Sequence, residues 1–232
     1  MPHDHAPATV VILANVPRGT TADEFARLDD IPRRAGVAVT WAVDGGDIAH
    51  LATVCPTARF ALTLDADATR SRQDLRKILS RAQADVTDLD AVVLVGGAAI
   101  AHRDVLVDSG IRTAVVDRFD DTARGSRRPA PNGWSCRSIL WGLWEVESSP
   151  AKAAGMIGRW IPWSGQPTAG SLTVIAIEGE GSGSRDFSDR VSRTIDRHAG
   201  MRLPQRFTLV TELSAMLGSA GHARGGSVLR AA

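Results

Sequence analysis

Acidic side chains at the ends of short apolar runs are the first candidates for chemistry in this chain. Asp44, Asp47, Asp65, Asp67, Asp117, Glu147, Glu178 and Glu180 all stand at or just past such runs. Two carboxylates in unlike surroundings can divide proton transfer between a general acid and a general base, or can hold a hard cation through oxygen. Asp65 with Glu178 is the pair assigned to that role. Asn15, Asp44, Asp67, Asp117 and Glu180 are assigned to ligand binding around it. A plainer reading stands beside this one, because acids at strand ends commonly cap the following helix and stay solvated.

Tryptophan is the second unusual feature. Trp134, Trp141, Trp144, Trp160 and Trp163 fall in one segment, and flat aromatic faces suit sugar rings as well as they fill a core. Trp134 and Trp163 are the candidates for a ligand platform. Asp65 and Glu178 are expected to meet across the mouth with few basic neighbours, and one of these rings to show a face nearby. His50, His102 and His198 have no ligand spacing among them, and His3 and His5 lie in a terminal tail. Cys136 has no evident base beside it, so a buried thiol is expected there rather than a nucleophile.

Composition limits the partners. The 232 residues are 44% hydrophobic, and 27 basic against 26 acidic residues leave a net charge of +1. That balance gives no reason to expect nucleic acid or an anionic membrane surface. Cys55 and Cys136 are too few for a disulfide framework and too far apart for a zinc knuckle, which suits a reducing compartment. No basic segment followed by an apolar run opens the chain, and the run from Thr9 to Ala14 is too short to span a bilayer. A cytoplasmic protein is expected, with its oligomeric state left open.

The elements that must position the acids alternate between strand and helix. Thr9 to Ala14 reads as the first strand, and Thr21 with Glu24 forms a capping box for a helix burying Phe25, Leu28 and Ile31. Pro32 should bend or end that helix before Gly36. Gly36 to Val43 then runs as a buried strand onto Asp44-Gly45-Gly46-Asp47, where paired glycines permit a sharp turn. Ala58 to Leu64, Ala91 to Val95, Ile111 to Val116, Leu143 to Glu147, Leu172 to Ile177 and Arg206 to Val210 are the later strands. Helices are expected from Ser71 past Ala82, from Arg103 to Ser109, from Phe187 to His198, and after a Thr211 cap. Asp120 to Gly133 reads as a loop over the strand ends.

This alternation predicts one domain over residues 1–218, with a Gly-, Ser- and Ala-rich flexible tail over 219–232. No Gly-x-Gly-x-x-Gly or Walker pattern follows a strand, which favours a barrel over an open nucleotide-binding sheet. Gly179 to Ser184 is glycine-rich, but Glu178 and Glu180 would repel a phosphate there.

From about Thr9 to Leu217 the order of segments resembles the polysaccharide deacetylases of the NodB-homology type. Gly36-Val37-Ala38-Val39-Thr40-Trp41-Ala42-Val43 is similar to that family's second strand. Gln205-Arg206-Phe207-Thr208-Leu209-Val210-Thr211-Glu212-Leu213 is similar to its closing strand and helix, and Asp108-Ser109-Gly110-Ile111 to the step after its third motif. The resemblance implies an α/β fold, a distorted β/α barrel of about seven to eight mostly parallel strands.

It also implies a metal held by one carboxylate and two imidazoles, with an aspartate base. Here Asn15 and Val16 stand in place of the paired aspartates, and Thr63-Leu64-Asp65-Ala66-Asp67 contains no histidine. No metal and no other cofactor are therefore expected. Two functions follow: a non-catalytic carbohydrate- or metabolite-binding or regulatory protein, which is preferred, and an atypical hydrolase or deacetylase using carboxylates at the barrel mouth on a sugar or small amide.

Overall fold

The computed structural model describes residues 7–68, 70–95, 102–116, 128–129, 136–140, 142–150, 170–179, 184–201 and 204–224. In chain order the first half comprises β1 (Ala8–Asn15), α1 (Ala22–Ala35), β2 (Val39–Asp44), α2 (Ile48–Val54), β3 (Arg59–Leu64), α3 (Arg72–Asp85), β4 (Ala91–Leu94), α4 (Arg103–Asp108) and β5 (Thr113–Val116). The second half comprises β6 (Arg128–Pro129), β7 (Cys136–Leu140), β8 (Leu143–Glu147), β9 (Ser149–Pro150), β10 (Leu172–Ile177), α5 (Ser184–Ala199), β11 (Gln205–Thr208) and α6 (Val210–Arg224).

β1 is uncharged and buried along its whole length, so both its faces must be covered and both its edges paired. β10 pairs with one edge from Thr9 to Ala14. The other edge is divided: β11 takes Ala8 to Val11 and β2 takes Ile12 to Asn15. The full order is β6-β7-β8-β5-β4-β3-β2-β1-β10-β9, with β11 beside β1. Among the described residues only the β6–β7 and β7–β8 pairings are antiparallel. β1 through β5 lie side by side in sequence order, without the reversal that marks a dinucleotide fold.

Alternate residues of β1 show how the layers form. Val10, Ile12 and Ala14 pack with Phe25 of α1, Leu51 of α2, Leu75 of α3, Leu106 of α4 and Val191 of α5. Val11 and Leu13 face the other way, with Ala61, Val93 and Val115, onto Val210, Leu213 and Leu217 of α6. Among the described residues, five helices thus cover one face and a single helix fills the other. The sheet curls into a mostly parallel half-barrel around α6.

Local signals account for the best-defined ends. Thr21 and Glu24 form the expected reciprocal capping box on α1. Pro32 does not interrupt α1; the helix runs on to Ala35 and stops where Gly36 takes φ 64°. There the Gly36 N–H donates to the Arg33 carbonyl and the Val37 N–H to the Pro32 carbonyl, a Schellman closure. Ser71 caps α3, its Oγ accepting from the Asp74 N–H at 3.1 Å.

Several expectations needed correction. α2 was not anticipated, being only seven residues long. β6 falls inside the stretch read as loop, and β7 pairs with β8 where no strand was expected. Thr211 is not a cap but lies in the first turn of α6, which begins at Val210 and continues to Arg224, beyond the boundary drawn from composition.

Candidate functional site

Four strands are neighbours in the sheet, β3, β2, β1 and β10; β2 and β1 end on Asp44 and Asn15, and Asp65 and Glu178 directly follow β3 and β10. Parallel pairing brings these ends to one edge of the half-barrel, where loops converge. Asn15, only 8% exposed, donates from Nδ2 to Glu178 Oε2 at 2.9 Å, and its buried Oδ1 has no hydrogen-bond partner. Gly179 makes this approach possible: a Cβ there would lie 2.1 Å from the Asn15 carbonyl oxygen.

The other two acids share a cation. Nη2 of Arg18 lies 3.1 Å from Asp44 Oδ2 and 3.5 Å from Asp65 Oδ2. The second oxygen of each carboxylate serves its own loop, Asp44 Oδ1 accepting from the Gly46 N–H at 2.9 Å and Asp65 Oδ1 from the Ala68 N–H at 2.8 Å. Asp47 Oδ2 accepts from the Gly19 N–H at 3.0 Å and so ties the loop after β1 to the loop after β2. Asp67 is largely exposed and pairs with Arg70.

Asp65 therefore faces a guanidinium, and the expectation of few basic neighbours fails for it. The helix-capping role weighed against catalysis is not what these acids do either: Asp44 and Asp65 each close a local turn with one oxygen, while α3 is capped by Ser71 and α2 has no side-chain cap. Arg18 was missed, since a lone arginine in a turn carries no spacing signal. Asp117, Trp134, Trp163 and Glu180 lie outside the described residues, as do Trp141 and Trp160.

No protein-family profile matches the chain, and no curated protein matches it in sequence. Solved structures do match. A provisionally assigned polysaccharide deacetylase from Mycobacterium smegmatis superposes with a TM-score of 0.56 at 12% identity, over 99% of this chain and 96% of the other. A deacetylase solved with its substrate superposes with a TM-score of 0.51 at 13% identity, over 90% of this chain and 92% of the other. The chain has the polysaccharide deacetylase fold.

The donors at the mouth of this deacetylase fold do not fit the metal that the fold implies. β1 ends on an amide, Asn15, followed by Val16, and the turn after β3 supplies carboxylates without imidazole. Zinc sites draw mainly on imidazole and thiolate donors with carboxylates beside them, and Arg18 already sets a positive charge between Asp44 and Asp65. Among the described residues no group of three or more His, Cys, Asp or Glu is placed to hold a metal ion.

Other candidates are accounted for by packing. Burial pushes the Cys136 thiol up to about 12, which rules out a thiolate nucleophile at neutral pH. His198 is buried and held below the usual imidazole range by desolvation first and then by Arg197. Trp41 is buried, donating from Nε1 to Asp29 Oδ1 at 2.9 Å and meeting Phe25 edge to face. A cavity of about 750 Å³ lies at the opposite, amino-terminal end of the sheet, lined in part by Arg59, Gln83, Asp88 and Asp90.

Glu145 was also missed. It is 1% exposed on β8, with Arg103 at 2.9 Å on one oxygen and Arg137 at 2.6 Å on the other. This cluster joins α4, β7 and β8. Among the described residues no helix is long and apolar enough to cross a membrane.

Proposed function

We propose that this chain is a divergent, non-catalytic member of the polysaccharide deacetylase superfamily that binds a carbohydrate or small metabolite at the barrel mouth. The observation that carries this reading is the engagement of the mouth's own groups with one another. Arg18 pairs with both Asp44 and Asp65, and Asn15 donates to Glu178, so the polar side chains at four strand ends are taken up in two contacts of their own. Hydrolysis by the usual route needs a polarising ion and a base close to it. The carbohydrate part rests on likeness of fold to proteins described as acting on polysaccharides, which is analogy at the level of architecture. The two buried, unpaired thiols support a cytoplasmic setting.

The alternative is a hydrolase working through Asp65 and Glu178. It is less supported, because both oxygens of Asp65 are already engaged, one by Arg18 and one by the Ala68 amide. Turnover separates the readings, since acetate release that chelator leaves unchanged would favour the carboxylate hydrolase; two further measurements test the preferred one. Protein purified without added metal is expected to carry no stoichiometric zinc, nickel or cobalt by elemental analysis, with chelator leaving its melting temperature unchanged. A thermal-shift screen of sugars and metabolites is expected to find a stabilising ligand. Acetate release from an acetylated chito-oligosaccharide that stops on chelation and returns with zinc would overturn the proposal.

A further inference from the structure

The cavity at the amino-terminal end of the sheet lies where the turns leading into β3 and β4 meet the end of α4 and the first turn of α6. Its volume of about 750 Å³ is that of a small-molecule site. Hydrogen bonds hold its walls in place. Gln83, on α3, donates from Nε2 to the Leu89 carbonyl at 3.2 Å and to the Ser109 carbonyl at 2.6 Å, and so joins two of the wall segments. The Asp90 carbonyl accepts from the Arg112 N–H at 2.7 Å and from the Thr113 N–H at 3.2 Å. Asp90 thereby stands at a fixed point on the wall, just before β4.

The charge on these walls is one-sided. Among the described residues the lining has three acids, Asp85, Asp88 and Asp90, against one base, Arg59. Arg59 reaches Asp88 at 3.3 Å with both side chains more than half exposed, an open pair that leaves Asp90 out. α3 adds its carboxyl-terminal pole, which no basic residue in its last turn offsets. One oxygen of Asp90 is buried and has no hydrogen-bond partner among the described residues, and a buried acceptor left unpaired is unfavourable. Asp90 lines the cavity and is part-exposed, so a positive charge bound there acts on its carboxylate at short, poorly screened range. The wall also has an apolar part in Phe60 and Leu89.

We propose that this cavity is a ligand site distinct from the mouth and takes a small organic monocation, its ammonium group set against Asp90 and its apolar body along Phe60 and Leu89. An inorganic ion would leave the apolar wall unused, and among the described residues no group is placed to hold a metal there. The inference is independent of whether the mouth binds a sugar, since the two sites lie at opposite ends of the strands.

The probe is phenethylamine, with phenethyl alcohol as an uncharged counterpart of the same shape. Each is titrated into the full chain at pH 8, where Asp90 and the amine are both charged, and followed by amide chemical shifts. The amine is expected to move the amides of Asp90, Ser109 and Gly110 and to leave those of Asn15 and Asp44 in place. It should bind at least about tenfold more tightly than the alcohol. Asp90→Asn should remove that preference, while Asp189→Asn, which deletes an exposed acid on α5, should keep it. The proposal is overturned if neither compound binds, if both bind alike, if the shifts centre on the mouth or scatter over surface acids, or if a folded Asp90→Asn retains the preference. The shift map is made on the natural chain, so it decides the location even where Asp90→Asn does not fold.

Discussion

At the scale of single residues, the identity of position 15 decides what the mouth can do. An amide next to Glu178 supplies a donor, and the carboxylate accepts it without a second negative charge. Asn15→Asp would set two carboxylates at that same distance, where both cannot stay ionised, and one of them must hold its proton to a higher pH. A carboxylate raised in the folded state contributes stability that is fully present below its unfolded pKa and is lost as pH rises. Asn15→Asp is therefore expected to melt below the parent at pH 8, by about 1–3 kcal/mol, and to approach it near pH 4. An equal deficit at both pH values would show that shape rather than charge is responsible. Asn15 was singled out from sequence because it stood where an aspartate was expected. Arg18 could not be, because its role depends on two carboxylates more than twenty residues away meeting at one nitrogen.

At the scale of elements, what could be read in advance was whatever depends on near neighbours. The Thr21–Glu24 capping box and the Ser71 cap are three-residue relations, and both are present as expected. Boundaries that depend on distant partners were not readable. β7 exists because β8 offers it an antiparallel edge, and its sequence Cys-Arg-Ser-Ile-Leu places Arg137 inward only because Glu145 is opposite. This pairing makes a strong prediction. Removing one member of a buried ion cluster leaves the other charges without compensation. Glu145→Ala should cost about 3–5 kcal/mol in chemical denaturation, far more than the loss of an exposed acid such as Asp67. A cost below 1 kcal/mol would mean that water reaches Arg137 and Arg103 and that the cluster does not join α4 to the sheet.

At the scale of the whole molecule, a singly wound sheet has two unlike ends, one carrying the acid row and the other the 750 Å³ cavity. The choice of barrel over open nucleotide-binding sheet was available from the strand–helix alternation and the missing glycine fingerprint. The helix inside the curl was not, since α6 has no apolar stripe distinct enough to announce which face it would meet. The cavity end contains Asp90, pushed up to about 6 mainly by burial, with Asp88 adding to the rise and its own backbone amide, Arg112 and Arg59 opposing it. One of its oxygens is buried without a partner. Since the folded value is raised, Asp90 favours the native state below the ordinary carboxylate range, and this contribution fades as pH climbs through about 6. Asp90→Asn should remove that slope: relative to the parent, the variant's melting temperature is expected to rise between pH 4 and pH 7. A difference between the two proteins that does not vary with pH would show that Asp90 is solvated.

The divided edge of β1 also sets an order of events during synthesis. Thr9 finds its partner in Leu172, and Ala8 in Gln205, almost a full chain length later. Contacts so distant in sequence are slow to form because a long loop must close first. Until β10 emerges, the apolar ribbon from Ala8 to Asn15 has an open edge and, until α6 follows, a bare concave face. A nascent chain that stalls before Leu172 would thus present a ready template for pairing with its neighbours.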